Sequence, residues 1–167
     1  MKTHSECEGC VLGSRRAFLG QVSGVLAAVA VCDEWVAVLG ASRVEEIVAE
    51  RADQTALTYP APAGDGVSID KKEQIILVRL QDKVYAFPLA CPHENTALRW
   101  RQKDLRFQCE RHGSRYQPDG TFMTGRATRN MDRYAVSHTG GSIVVDLTKL
   151  YQSDTHPKEW ASASAPA

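Results

Sequence analysis

Four side chains in the middle of the chain are of the types that hold metals, and they fall into two short pairs. Cys91 stands two residues before His93, Cys109 stands three before His112, and fifteen residues separate the pairs. A Cys-x-His step places two side chains on one side of an extended segment, while Cys-x-x-His brings two ligands together around a tight turn. Together they supply two thiolates and two imidazoles. That is a metal site.

Two metal centres accept this set. A tetrahedral zinc takes two Cys and two His, but zinc fingers usually pair identical ligands within each turn. Here each turn donates one of each kind. A [2Fe-2S] cluster with sulfur on one iron and nitrogen on the other suits two mixed loops approaching from opposite sides. The mixed order favours iron and sulfur, with a structural zinc module as the alternative.

The stretch Cys91–Tyr116, with the pattern C-x-H-x15-C-x-x-H, resembles the Rieske [2Fe-2S] signature. The resemblance implies a small antiparallel all-β domain with two cluster-binding loops. It also implies that Cys91 and Cys109 hold the inner iron, and His93 and His112 the outer one. In high-potential members a Ser and a Tyr after the last ligand donate hydroxyl hydrogen bonds to a bridging sulfide and a ligand sulfur. Ser114 and Tyr116 occupy matching places, and such bonds favour the reduced state and raise the potential. Their alternative roles are a turn cap for Ser114 and core filling for Tyr116. The chain departs from the quinol-oxidising members at Thr96 and Arg111, where those carry a second pair of cysteines joined by a disulfide. The expected potential lies within roughly −150 to +300 mV, in the upper half.

The elements that position these ligands read as strands. Ile75–Val78 and Val84–Phe87 flank a turn at Gln81-Asp82-Lys83, and Leu105–Gln108 leads directly into Cys109. Thr121–Met123, Tyr134–Val136 and Ile143–Val145 complete the set, with turns at Asp119-Gly120 and Gly140-Gly141. The segment Gly120–Gly125 is expected to cover the cluster, shielded by Phe122 or Met123. The Rieske-like domain is expected over residues 67–150, followed by a loosely ordered tail over 151–167. Ahead of it, Trp35–Ala52 has a helical apolar period and Tyr59–Gly66 reads as a Pro/Gly linker, so helix and linker are expected over 42–66.

Residues 1–41 read as an address. Ser14-Arg15-Arg16-Ala17-Phe18-Leu19 resembles the twin-arginine export motif, and the apolar run Val22–Val31 ends at Asp33-Glu34. Ala28-Val29-Ala30 offers a cleavage site, while retention would leave a short or tilted membrane anchor. A folded, metal-loaded domain is the cargo that this route carries. Export to the periplasm or the outer face of the cytoplasmic membrane is expected. Cys7 and Cys10 precede the motif and read as incidental thiols, and Val31 before Cys32 fits lipid attachment poorly.

The formal charge is zero and 43% of residues are hydrophobic, which suits one small domain with extensions and offers no feature for nucleic acid. Between Arg99 and Arg133, nine basic residues face four acids, a bias that would steer an acidic partner. The sequence offers no evident 2-His-1-carboxylate motif or large substrate domain, so a full oxygenase is not expected. A cluster with four protein ligands relays electrons and is no catalyst by itself. The expected function is therefore one-electron transfer in an exported complex, either of quinol:cytochrome c reductase type or with the chain as small subunit of a periplasmic molybdenum oxidase. Its partners would be a cytochrome or a larger oxidoreductase subunit, and in the first setting quinol. The alternative is a ferredoxin component of a ring-hydroxylating oxygenase.

Overall fold

The computed structural model describes residues 44–51 and 53–167, and the expected leader with Cys7, Cys10 and Cys32 lies outside them. Twelve strands, one short α-helix and a 3-10 turn at Gln102–Asp104 make up the described fold. Strands β1 (Val44–Glu46), β2 (Ala56–Pro60), β3 (Gly66–Asp70), β4 (Ile75–Leu80) and β5 (Lys83–Pro88) come first. β6 (Leu98–Arg101), β7 (Arg106–Cys109), β8 (Arg115–Tyr116) and β9 (Phe122–Thr124) follow. β10 (Arg133–Thr139), β11 (Ser142–Tyr151), helix α1 (Pro157–Ser162) and β12 (Ala165–Pro166) complete the chain.

The strands form two sheets. The larger runs β1-β3-β4-β5-β10-β11-β2, with β12 also on β5, and the smaller runs β6-β7-β8-β9. All pairings are antiparallel except β1 with β3. Two-residue turns close β4–β5 at Gln81-Asp82 and β10–β11 at Gly140-Gly141, where Leu80 faces Lys83 and Thr139 faces Ser142. Gln81, Gly140 and Gly141 all take positive φ, the backbone such tight hairpins require.

β4 explains how one strand organises two cores. Ile76 and Val78 face a cluster with Phe87, Leu89, Phe107 and Tyr116, while Ile75 and Leu77 face another with Leu57, Tyr59, Ile143 and Val145. Buried on both faces, the strand carries an unbroken apolar run instead of alternation. Cys91 and Cys109 belong to the first cluster, so the small sheet and its ligand loops are packed onto the large one.

Three expectations over the flanking segments are corrected. The part of the expected Trp35–Ala52 helix that is described is strand β1, with Val44 opposite Val67, followed by a bridge from Glu50 to Thr58. Its β-branched residues serve either period, and pairing with β3 decides. The expected linker over Tyr59–Gly66 begins inside β2, where Tyr59 is fully buried and its hydroxyl donates to Asp70 Oδ2 at 3.2 Å. Pro60 is tolerated because β2 is a sheet edge. The expected loose tail is docked: Trp160 Nε1 donates to Met131 O at 2.7 Å, and Ala165 and Pro166 pair with Val84 and Lys83. The folded region thus extends beyond 67–150 on both sides.

Candidate metal centre

The ligand loops connect strands of the small sheet to their neighbours. The first, residues 91–96, leaves β5 and leads to β6; the second, residues 109–114, joins β7 to β8. Leu98 of β6 pairs with Cys109 at the end of β7, which sets the loops side by side. Both are closed by the same backbone bonds. Cys91 N–H donates to Thr96 O at 2.9 Å and Cys109 N–H to Ser114 O at 2.8 Å. Asn95 N–H donates to Cys91 O at 2.9 Å and Gly113 N–H to Cys109 O at 3.0 Å. Asn95 and Gly113, each four residues after the cysteine, both take positive φ, which Asn and Gly tolerate best.

This repeat brings all four sequence-predicted ligands together in two layers. Cys91 and Cys109 are fully buried free thiols at the base. His93 and His112 are partly exposed at the tip, their Nδ1 atoms 3.2 Å apart and their rings nearly perpendicular, with centroids 4.8 Å apart. Two nitrogens at that spacing can share one metal ion. Burial pushes the Cys91 thiol up, and the neighbouring Cys109 adds to this, while Tyr116 O–H and His93 N–H pull it down. A pair of buried thiols is stable as thiolates when a cation shares the site.

The two hydroxyls expected beside the cluster are also at the base. Tyr116 Oη lies 3.3 Å from Cys91 Sγ, and burial first, then the Cys91 thiol, pushes its phenol far above the usual range. Its neutral O–H is thus kept as a donor. Ser114 is fully buried, and its Oγ accepts Ala127 N–H at 3.1 Å, which leaves its own O–H to donate. The segment between β8 and β10 covers this corner, as expected. Phe122 packs edge-on against Tyr116 at 5.8 Å between centroids, whereas Met123 is half exposed.

Residues 56–135 match the family model of the Rieske [2Fe-2S] domain. The chain carries a Rieske domain. The Rieske domain binds a [2Fe-2S] cluster, and the donor chemistry here suits that group: two buried thiols below, two converging imidazole nitrogens above. Over 70 residues the chain is 33% identical to the cytochrome b6-f complex iron-sulfur subunit 3 of Nostoc sp. (strain PCC 7120 / SAG 25.82 / UTEX 2576). That match takes in 42% of this chain and 39% of the relative, so the chain spans about two fifths of that relative's length. Among solved structures, the cyanobacterial plasma membrane Rieske protein PetC3 from Synechocystis PCC 6803 aligns with a TM-score of 0.40 and 22% identity. The alignment covers 56% of this chain and 87% of that one.

Four of the nine basic residues between Arg99 and Arg133 have the following acidic partners. Arg99 pairs with Glu110 at 2.6 Å, Arg106 with Asp104 at 2.8 Å, Arg129 with Asp132 at 3.0 Å and Arg111 with Glu94 at 3.0 Å. Glu94 itself escaped the sequence reading. Its signal was its place directly after a candidate ligand, and only the folded loops bring it within 4.0 Å of His93 Nε2 and 3.7 Å of His112 Nε2.

Proposed function

We propose that the chain is the electron-transfer subunit of an exported respiratory or oxidoreductase complex, with Cys91 and Cys109 on the inner iron and His93 and His112 on the outer one. When bound, the cluster takes up and releases one electron at a time. The observation that carries the assignment is the 3.2 Å approach of the two Nδ1 atoms at the tip, above two fully buried thiols. Buried cysteines keep water from the sulfur end. The partly exposed rings bring the other end toward the surface, where a partner can approach. Tyr116 and Ser114 present hydroxyl donors at the sulfur end, which favours the reduced state.

The relative's description as a cytochrome b6-f subunit supports the quinol-oxidising setting, in which an exposed imidazole accepts the quinol proton. The missing disulfide at Thr96 and Arg111 favours a relay beside a larger subunit, such as a molybdenum oxidase, and is also what a ferredoxin component would show. The Arg15-Arg16 leader supports export. Fractionated cells should therefore hold the protein outside the cytoplasm; a cytoplasmic protein with an intact N-terminus would revive the ferredoxin reading.

The ligand assignment is tested on the purified protein. The wild type should be coloured, contain acid-labile sulfide, and give the rhombic paramagnetic spectrum of a histidine-ligated cluster when reduced. Cys109→Ser should abolish the colour and His112→Ala should lose most of it. Equimolar zinc without sulfide, or unchanged absorption in Cys109→Ser, would defeat the assignment.

A further inference from the structure

We propose that Glu94 and Arg111 form an ionic clasp between the two ligand loops, positioning His93 against His112 and setting the charge at the exposed edge of the centre. The inference rests on the ligand reading above and deepens it.

The argument starts from the loops' repetition. Because both are closed by the same pair of backbone bonds, the second and third residues after each cysteine share the tip. In the first loop these are His93 and Glu94; in the second, Arg111 and His112. The histidine stands second in one loop and third in the other. The two places left over hold one acid and one base, and these meet: Arg111 Nη1 lies 3.0 Å from Glu94 Oε2. The histidine pair and the charged pair are thus crossed counterparts at one tip. The same carboxylate stands within 4.0 Å of His93 Nε2 and 3.7 Å of His112 Nε2, so one negative group faces the Nε2 atom of both rings.

Among the described residues no disulfide joins the loops, Cys91 and Cys109 both being free thiols, and a bound cluster would add its own link between them. The Glu94 and Arg111 side chains are 42% and 66% exposed, so the tie is screened by salt. An exposed pair of this kind shifts an opening equilibrium by roughly two- to fivefold. Its electrostatic effect has a definite sign. Negative charge beside the imidazoles disfavours an added electron, and Arg111 offsets it.

The test uses the full chain as purified, with Glu94→Gln, Arg111→Gln and the double variant. Amide hydrogen exchange over 91–96 and 109–114 should quicken in the wild type between low salt and about 1 M salt, where the screening length falls to about 3 Å. Each single variant should already exchange roughly two- to fivefold faster at low salt, and the double variant no faster than either. The midpoint potential should rise in Glu94→Gln and fall in Arg111→Gln, opposite signs that a merely structural role would not produce. Equal exchange in all four proteins, or potential shifts of the same sign, would overturn the clasp. Exchange is compared among samples of equal iron content, since a bound cluster would itself join the loops, and a wild type without iron and sulfide would overturn the ligand reading separately.

Discussion

Tyr116 shows how one hydroxyl acts on the centre. It sits 3.3 Å from Cys91 Sγ at the buried end, and its ring is held independently by Phe122. Tyr116→Phe removes the donor and keeps the ring. A hydrogen bond to sulfur strengthens as negative charge accumulates, so its loss should cost the reduced state about 1 kcal/mol more than the oxidised one. For one electron that is a fall in potential of ~40 mV, read by redox titration. Thermal stability should move little, because the packing against Phe122 remains. Cys91, His93, Cys109 and His112 were legible in the sequence for a related reason: a ligand must be one of few residue types, and the reach of a short loop limits its spacing.

At the scale of elements, the covering segment between β8 and β10 holds the Ser114 corner in place. Gly125 has a φ of +120°, and a Cβ there would overlap the Ser114 backbone, so the segment lies against the ligand loop at a distance only glycine permits. Gly125→Ala must either strain this backbone or lift the segment away. We expect a loss of roughly 1–3 kcal/mol in thermal or denaturant unfolding, with faster exchange of the Ala127 amide that donates to Ser114 Oγ. Unchanged exchange at Ala127 would show that the segment does not depend on the close approach. The sequence placed this covering segment and left its shield as Phe122 or Met123; Phe122 packs on Tyr116 with Gly125 against Ser114, while Met123 is half exposed. Alternation cannot tell which residue of a short strand turns inward when the partner surface is itself a loop.

Across the whole molecule, Arg133 joins parts that are distant in the chain. Its guanidinium lies between Tyr85 and Trp160, at 4.6 and 3.6 Å from their ring centroids, and donates to Trp160 O at 2.9 Å and Asp119 O at 2.6 Å. It thereby ties the C-terminal helix α1 and the covering segment to strand β10. Burial pushes its pKa down, and its Nε has no partner among the described residues, so part of the gain is spent on desolvation. Arg133→Met keeps the stem and removes the donor to Asp119 O, while Trp160 O keeps the Ala163 N–H at 3.3 Å. The net loss should be about 2 kcal/mol, checked by urea unfolding, with faster exchange in α1.

What the sequence determined by itself was local. Ligand identity and spacing, the tight turn at Gly140-Gly141 and the unbroken apolar run of β4 depend on residues close together in the chain. Their chemistry or backbone geometry admits few alternatives. Tertiary structure decided everything that depends on which surfaces meet. It made Val44–Glu46 a strand beside β3, buried Tyr59 within an apparent linker, docked the C-terminal residues through Trp160, and set Glu94 against Arg111. The physical reason is that an isolated segment's preferences differ by about 1 kcal/mol, whereas burial of a large side chain or pairing along a sheet edge contributes several.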